Sequence, residues 1–159
     1  YSQNTEVHMP AGRYDIQADQ GSTFIFYIEY QTEGGTGEDL RGFTAEMQVR
    51  RSVIDPAIIL QVSGGVSGNN AGVTHGGDTG EFVVGATFSG TVGSGGITLN
   101  GSTVGVDGTS GGVYIFVDHT SMSKVPAGKH FYDLDIRSPG GTVERILGGR
   151  FEVSGEVTR

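Results

Sequence analysis

The chain has 159 residues, 29 of them glycine, with a net charge of -8 at pH 7 and no cysteine. The missing cysteines exclude disulfides, thiolate nucleophiles and cysteine-based metal sites, and the acidity disfavours nucleic-acid binding, which needs clustered Lys and Arg. No apolar run approaches the roughly 18 residues of a membrane-spanning helix, so we expect no membrane partner.

Strands are predicted throughout the first third of the chain. Residues 13–18 and 42–51 alternate apolar and polar side chains, which is typical of half-buried strands. Residues 23–30 are aromatic or β-branched on both faces, so this strand must be covered on both sides or met by a partner. A short apolar strand over 57–62 follows the break at Pro56.

The middle of the chain is rich in glycine and poor in charge. Residues 64–112 contain 17 glycines, and there is no Lys or Arg between residues 52 and 123. Apolar clusters between the glycines predict strands over 81–88, 96–99 and 112–117. Asn100-Gly101 and Asp107-Gly108 predict tight hairpin turns. We interpret 64–112 as a Gly-rich β insertion within one domain, 13–159, which follows an N-terminal arm, 1–12.

The last third predicts a regular β-hairpin. Residues 118–123 can form one helical turn with a polar cap, and residues 130–137 alternate as a strand. Residues 138–141, Ser-Pro-Gly-Gly, predict a turn, with return strands over 142–148 and from Phe151 to Val157. Short strands with frequent turns and few helix formers predict an all-β fold, an antiparallel β-sandwich.

Two groups of polar residues could carry chemistry. Asp133 and Asp135 share a strand face about 6.5–7 Å apart, a spacing that suits a glycosidase pair, although a solvated face beside Arg137 explains them better. His75, Asp78 and Glu81 could line an ion-binding loop, but their spacing fits no calcium motif and a polar surface loop is favoured.

Other catalytic signals are missing from the sequence. There is no Gly-x-Ser-x-Gly elbow, and no glycine run continues into the Lys-Ser/Thr of a phosphate-binding loop. We therefore predict that the chain is not an enzyme and has no catalytic, cofactor-binding or metal-binding residue. Some aromatic side chains could stack on sugars, but on strands they more often form core or interface. These are Tyr14, Phe24, Phe26, Tyr27 and Tyr30.

The C-terminal third carries a recognisable pattern. It runs Val-Pro-Ala-Gly at 125–128, Tyr-Asp-Leu-Asp-Ile at 132–136, Val-Glu-Arg-Ile-Leu-Gly-Gly at 143–149, Phe-Glu-Val at 151–153 and Val-Thr-Arg at 157–159. Residues 20–24 and 40–50 match the same pattern's opening. The sequence thus resembles small virion proteins of tailed phages, and it is similar to the N-terminal domain of upper baseplate proteins. The resemblance covers about residues 12–62 and 112–159 and leaves the Gly-rich part unmatched.

The resemblance implies a fold and a role. The fold is an immunoglobulin-like β-sandwich in which Gly128 and Gly148 fit turns or bulges and Tyr132 and Leu134 fit the core. The role is a non-enzymatic structural protein of the virion, assembled in the host cytoplasm, that contacts copies of itself and other virion proteins. We favour a tail, baseplate or fibre-attachment position. The alternatives are a capsid decoration protein and a carbohydrate- or receptor-binding module that takes a host-surface glycan.

Overall fold

Strands account for about half of the residues that the computed structural model describes, which are 12–31, 34–83, 90–106 and 108–156. The strands of these ranges are β1 (Gly12–Arg13), β2 (Ile16–Asp19), β3 (Phe24–Glu29), β4 (Thr44–Arg50), β5 (Leu60–Val66), β6 (Gly72–His75), β7 (Thr91–Gly93), β8 (Gly95–Leu99), β9 (Gly112–Val117), β10 (Gly128–Arg137) and β11 (Val143–Ser154). A 3-10 turn covers Gly77–Thr79, and one helical turn, α1, covers His119–Met122.

The main strands are hydrogen-bonded in the order β1-β11-β10-β4-β5-β8-β9-β3, with β2 beside β11 and β6 linking β5 to β7. The first strands therefore pair with the last strand, and β9 pairs with β3, which is immunoglobulin-like connectivity. The predicted all-β fold is confirmed. The sheet is mixed rather than purely antiparallel, because β1 and β2 pair parallel with β11 and β5 pairs parallel with β8.

Aromatic contacts join the two ends of this strand order. The ring of Phe24 on β3 meets that of Phe151 on β11 edge-on, with centroids 5.4 Å apart, and Phe151 also contacts Tyr132 on β10 at 6.3 Å. The sheet therefore curls until its ends face each other across a single core. Tyr132 and Leu134 lie in that core, as the sequence pattern predicts.

The Gly-rich part of the chain contributes strands to the sheet. Strand β8 lies between β5 and β9, and its Ile97 and Leu99 are fully buried. Gly64 makes this arrangement possible, since a Cβ there would lie 1.8 Å from the carbonyl oxygen of Ile97. Residues 64–112 are thus built into the core as well as into surface loops.

Several predicted boundaries need correction. The strand expected over 57–62 begins at Leu60 and continues to Val66, because Gly64 admits the backbone of β8. The two strands expected after residue 142 are one strand, β11, with a bulge opposite Leu134. The first predicted strand is split into β1 and β2.

The turn predictions have mixed outcomes. The turn over 138–141 and the capped helical turn are confirmed, the latter with Asp118 Oδ1 accepting from the Ser121 N–H at 2.9 Å. Asn100-Gly101 is not a two-residue hairpin turn, since the chain leaves β8 there and returns to the sheet only at Gly112. Of the residues expected to form a strand over 81–88, Phe82 forms an isolated antiparallel β-bridge with Ile58. Asp107, residues 84–89, residues 1–11 of the predicted arm and Val157 lie outside the described residues.

Candidate docking surface

Strand β3 ends the sheet, and within the described residues it pairs only with β9. The Tyr30 N–H donates to the Gly111 carbonyl at 2.7 Å, and the register places Glu29 opposite Gly112. Since hydrogen-bonded residues alternate along an antiparallel pair, Phe24, Phe26 and Ile28 turn their backbone groups toward β9. The backbone groups of Ile25, Tyr27 and Glu29 point away from the sheet.

The outer face of β3 and β9 is apolar. Ile25 is 54% exposed and Tyr27 is 41% exposed, whereas their neighbours Phe26 and Ile28 pack against the core. Across the strand pair, Tyr27 lies opposite Tyr114 and Ile25 lies opposite Phe116, both of which are half-buried. We call these four side chains, Ile25, Tyr27, Tyr114 and Phe116, the outer patch.

A groove of about 320 Å³ runs between β2 and β3. It is lined by residues 14, 16–19 and 22–26. The ring of Tyr14 reaches into this region and contacts Phe26 on the inner side of β3, with centroids 5.6 Å apart. The exposed edge of β3 therefore has open space beside it.

The β3 edge lacks the features that usually prevent strand pairing. Natural edge strands are protected by Lys, Pro, bulges or a covering segment. The sequence of β3 is Phe-Ile-Phe-Tyr-Ile-Glu, with a regular register to β9 and Glu29 as its single charge. The last strand, β11, is by contrast covered by β1 and β2.

The two aspartates that could resemble a glycosidase pair lie on the polar outer face of β10. Arg145 contacts both, at 3.3 Å to Asp133 Oδ2 and 3.4 Å to Asp135 Oδ1. Burial raises the pKa of the Asp133 carboxyl, while Arg145 lowers it. Burial, and then the charges of Asp135 and Asp133, raise the pKa of Glu46 on neighbouring β4. Shared pairing to one arginine is the arrangement of a solvated charged face.

The three residues that could line an ion-binding loop are not assembled into a site. His75 is buried, and its Nδ1 accepts from the Gly77 N–H at 3.1 Å. Asp78 pairs with Lys124 at 2.6 Å, and Glu81 pairs with Arg51 at 3.5 Å. The three side chains thus have separate partners, and no group of three metal-ligating side chains occurs within the described ranges.

The aromatic side chains singled out in the sequence divide between core and surface. Phe24 is buried, while Phe26 and Tyr30 pack against the core. Tyr27 and Tyr14 are exposed, but Tyr27 lies on the outer face of β3 and Tyr14 contacts the inner side. These two tyrosines therefore do not form one flat platform.

Sequence reasoning missed half of the outer patch, Tyr114 and Phe116. The signal was present, because residues 113–117 are apolar at every position, as in a strand covered on both faces. What the sequence could not supply is the register that sets these side chains opposite Tyr27 and Ile25.

Comparison with known proteins identifies no family. No family model matches the chain, and no curated protein matches it. One similar solved structure comes from work on multimeric cell-adhesive interactions of VGSC beta subunits, with 14% identity, a TM-score of 0.41 and coverage of 93% of this chain and 98% of that one. A likeness of this size does not bear on function. No helix of the described residues is both long enough and apolar enough to cross a bilayer.

Proposed function

We propose that this chain is a non-enzymatic structural protein of a tailed phage particle. In this proposal it assembles in multiple copies in the tail, baseplate or fibre-attachment region, and its partners are copies of itself and other virion proteins. Assembly takes place in the host cytoplasm, and the mature location is the virion.

The observation that carries the proposal is the unprotected apolar edge of β3 together with the outer patch. Exposed apolar side chains that lie side by side mark surfaces made for contact, and a free edge strand accepts a further strand. The sequence pattern of the C-terminal third points to the virion as the setting. The polar candidates of the chain pair with nearby side chains, as Asp133 does with Arg145.

Purified particles of the phage that encodes the chain provide the test. We expect mass spectrometry to find the chain in multiple copies per particle, and cryo-electron microscopy to place its density at symmetry-related positions on the tail or baseplate. Density on the head shell would instead support a capsid decoration role. Absence from the particle would refute the proposal.

Carbohydrate binding is a second candidate because Tyr27 and Tyr114 lie side by side on the outer face. Adjacent aromatic rings can stack on sugars. If this candidate is right, the isolated chain gives a glycan-array signal that Tyr27→Ala and Tyr114→Ala abolish. Val53→Ala, at an exposed site between β4 and β5, should retain the signal. A blank array with well-folded protein would exclude it.

A further inference from the structure

We propose that the partner of the β3 edge is the β3 edge of a second copy of this chain. The two strands would pair antiparallel about a two-fold axis beside Phe26, and the sheet would continue from one copy into the other. This inference names a partner for the surface described above and rests on the proposed function, which requires contacts between copies.

The edge offers what a second strand needs. The outward backbone N–H and C=O groups of Ile25, Tyr27 and Glu29 have no partner strand within the described residues. A second β3 presents outward groups at the same spacing, so Ile25 and Tyr27 of each copy can satisfy those of the other, as a two-fold interface requires. The groove beside the edge leaves space for a strand to enter.

The side chains select one register. When the two strands are centred on Phe26, Ile25 of each copy faces Tyr27 of the other. Thr23 of each copy likewise faces Glu29 of the other. Aromatic and β-branched residues are favourable cross-strand pairs, and here the two exposed apolar residues of β3 in each copy contact those of the other. The single carboxylate of the strand meets a hydroxyl, which can donate a hydrogen bond to it.

The neighbouring registers are worse. In any register, the outward backbone groups of one copy must face the outward backbone groups of the other. The two nearest alternative registers are therefore centred on Tyr27 and on Ile25. Centring on Tyr27 sets the Glu29 carboxylate against Ile25, an aliphatic side chain. Centring on Ile25 moves Tyr27 opposite Thr23 and shortens the overlap to the start of β3, beside the turn at Gly21.

Charge and size predict a weak contact in dilute solution. Each copy carries a net charge of -8, so two copies repel, and salt should strengthen the pairing by screening. A six-residue strand pair is also smaller than the standard interface of about 800 Å² per partner. The experiment must therefore capture a transient dimer, and cysteine cross-linking does so in a chain that has no cysteine of its own.

Two single variants, Ile25→Cys and Tyr27→Cys, test the register. In the proposed pairing these positions face each other with Cα atoms about 5.5 Å apart, within disulfide range. The same position in the two copies, such as Ile25 and Ile25 of the second copy, forms a diagonal cross-strand pair about 7–8 Å apart. Mild oxidation of a mixture, with one variant carrying a mass tag, should give the mixed dimer at least about tenfold over either homodimer, because the diagonal exceeds disulfide reach.

Other outcomes overturn the proposal. A homodimer of the Tyr27→Cys or the Ile25→Cys variant alone would establish one of the other registers. No cross-link at high protein concentration and high salt, from variants that unfold like the unmodified chain, would show that the edge does not pair with itself. A mixed dimer from a chain that is absent from phage particles would retain the self-pairing and refute the proposed function, so the two failures are distinguishable.

A matched pair of charged variants checks that the edge drives association. Ile25→Lys introduces a charge at the paired surface, where natural edges use lysine to block pairing. Val53→Lys makes the same charge change at a site that is 80% exposed and lies between β4 and β5, outside β3 and the outer patch. In sedimentation at high salt, we expect Ile25→Lys to abolish the concentration-dependent dimer and Val53→Lys to retain it. Equal loss in both variants would contradict an edge-specific contact.

Discussion

Asn100→Ala tests how the Gly-rich part of the chain is anchored to the rest of the fold. Asn100 is 4% exposed and adopts a φ of 58°. Its Oδ1 accepts from the N–H groups of Leu40 at 2.9 Å and Gly111 at 3.2 Å, and its Nδ2 donates to Asp39 Oδ1 at 2.8 Å. One side chain thus ties the loop before β4 to the loop between β8 and β9.

The expected loss of stability is large. The alanine leaves two buried N–H groups without an acceptor, at about 1–3 kcal/mol each. It also puts a Cβ without a polar side chain into the left-handed region, at about 1–2 kcal/mol. Allowing for partial relaxation, we expect the free energy of unfolding to fall by about 3–5 kcal/mol, a sizeable part of the roughly 5–15 kcal/mol of a typical domain.

Urea unfolding followed by circular dichroism measures this loss, and two variants separate its causes. Asn70→Ala changes an exposed asparagine with a φ of 57°. It therefore measures only the cost of placing alanine in the left-handed backbone region. Asn100→Gly keeps the backbone conformation accessible and removes only the hydrogen bonds. If Asn100→Ala costs no more than Asn70→Ala, the hydrogen bonds of Asn100 do not anchor the loops and the reasoning is refuted.

Three further predictions concern packing and charge. Gly64→Ala should lower the free energy of unfolding by at least about 3 kcal/mol in urea melts because its Cβ collides with β8, whereas Gly72→Ala, with open space around it, should stay within about 0.5 kcal/mol. Glu46→Gln should raise the free energy of unfolding at pH 7, by less than about 1 kcal/mol at this surface site, because burial and two nearby aspartates raise the Glu46 pKa. In urea melts the gain should vanish below pH 4.5, where the carboxyl is protonated in the unfolded chain too, and an unchanged gain there would contradict this cause. Hydrogen bonds hold the Asp39 pKa at about 2, below its usual 3.8. The contribution of this carboxylate to the free energy of unfolding is therefore present above pH 3.8 and is lost as the pH falls through about 2. The difference in Tm between the unmodified chain and Asp39→Asn should shrink over that interval, and a constant difference would count against it.

Local patterns in the sequence predict the elements that local chemistry determines. The alternation over 42–51 gives β4 within two residues at its start, and Asp118 caps the helical turn as its side chain predicts. The Ser-Pro-Gly-Gly turn closes through the Gly141 N–H and the Ser138 carbonyl at 2.9 Å. In each case the deciding interaction lies within a few residues of the signal, so no knowledge of distant segments is needed.

Features that depend on distant segments were not predictable. Strand β11 runs through glycines 148 and 149, which resemble a break in the sequence. At Gly149 the reason for glycine is steric, because a Cβ there would lie 2.4 Å from the Tyr14 carbonyl oxygen. The parallel pairing of β5 with β8 and the hub at Asn100 likewise join residues that are tens of positions apart.

The Gly-rich part of the chain and the candidate docking surface are connected by the order of the strands. Strand β3 is held by β9, β9 by β8, and β8 by β5 at Gly64. The glycines that look like a flexible linker therefore allow the close backbone contacts that hold the edge strand in place. An edge strand that is already held extended loses less conformational entropy when it pairs, so the same glycines position Ile25 and Tyr27 for a partner. Substitutions such as Gly64→Ala should therefore weaken assembly as well as stability, although Gly64 lies outside β3 and the outer patch.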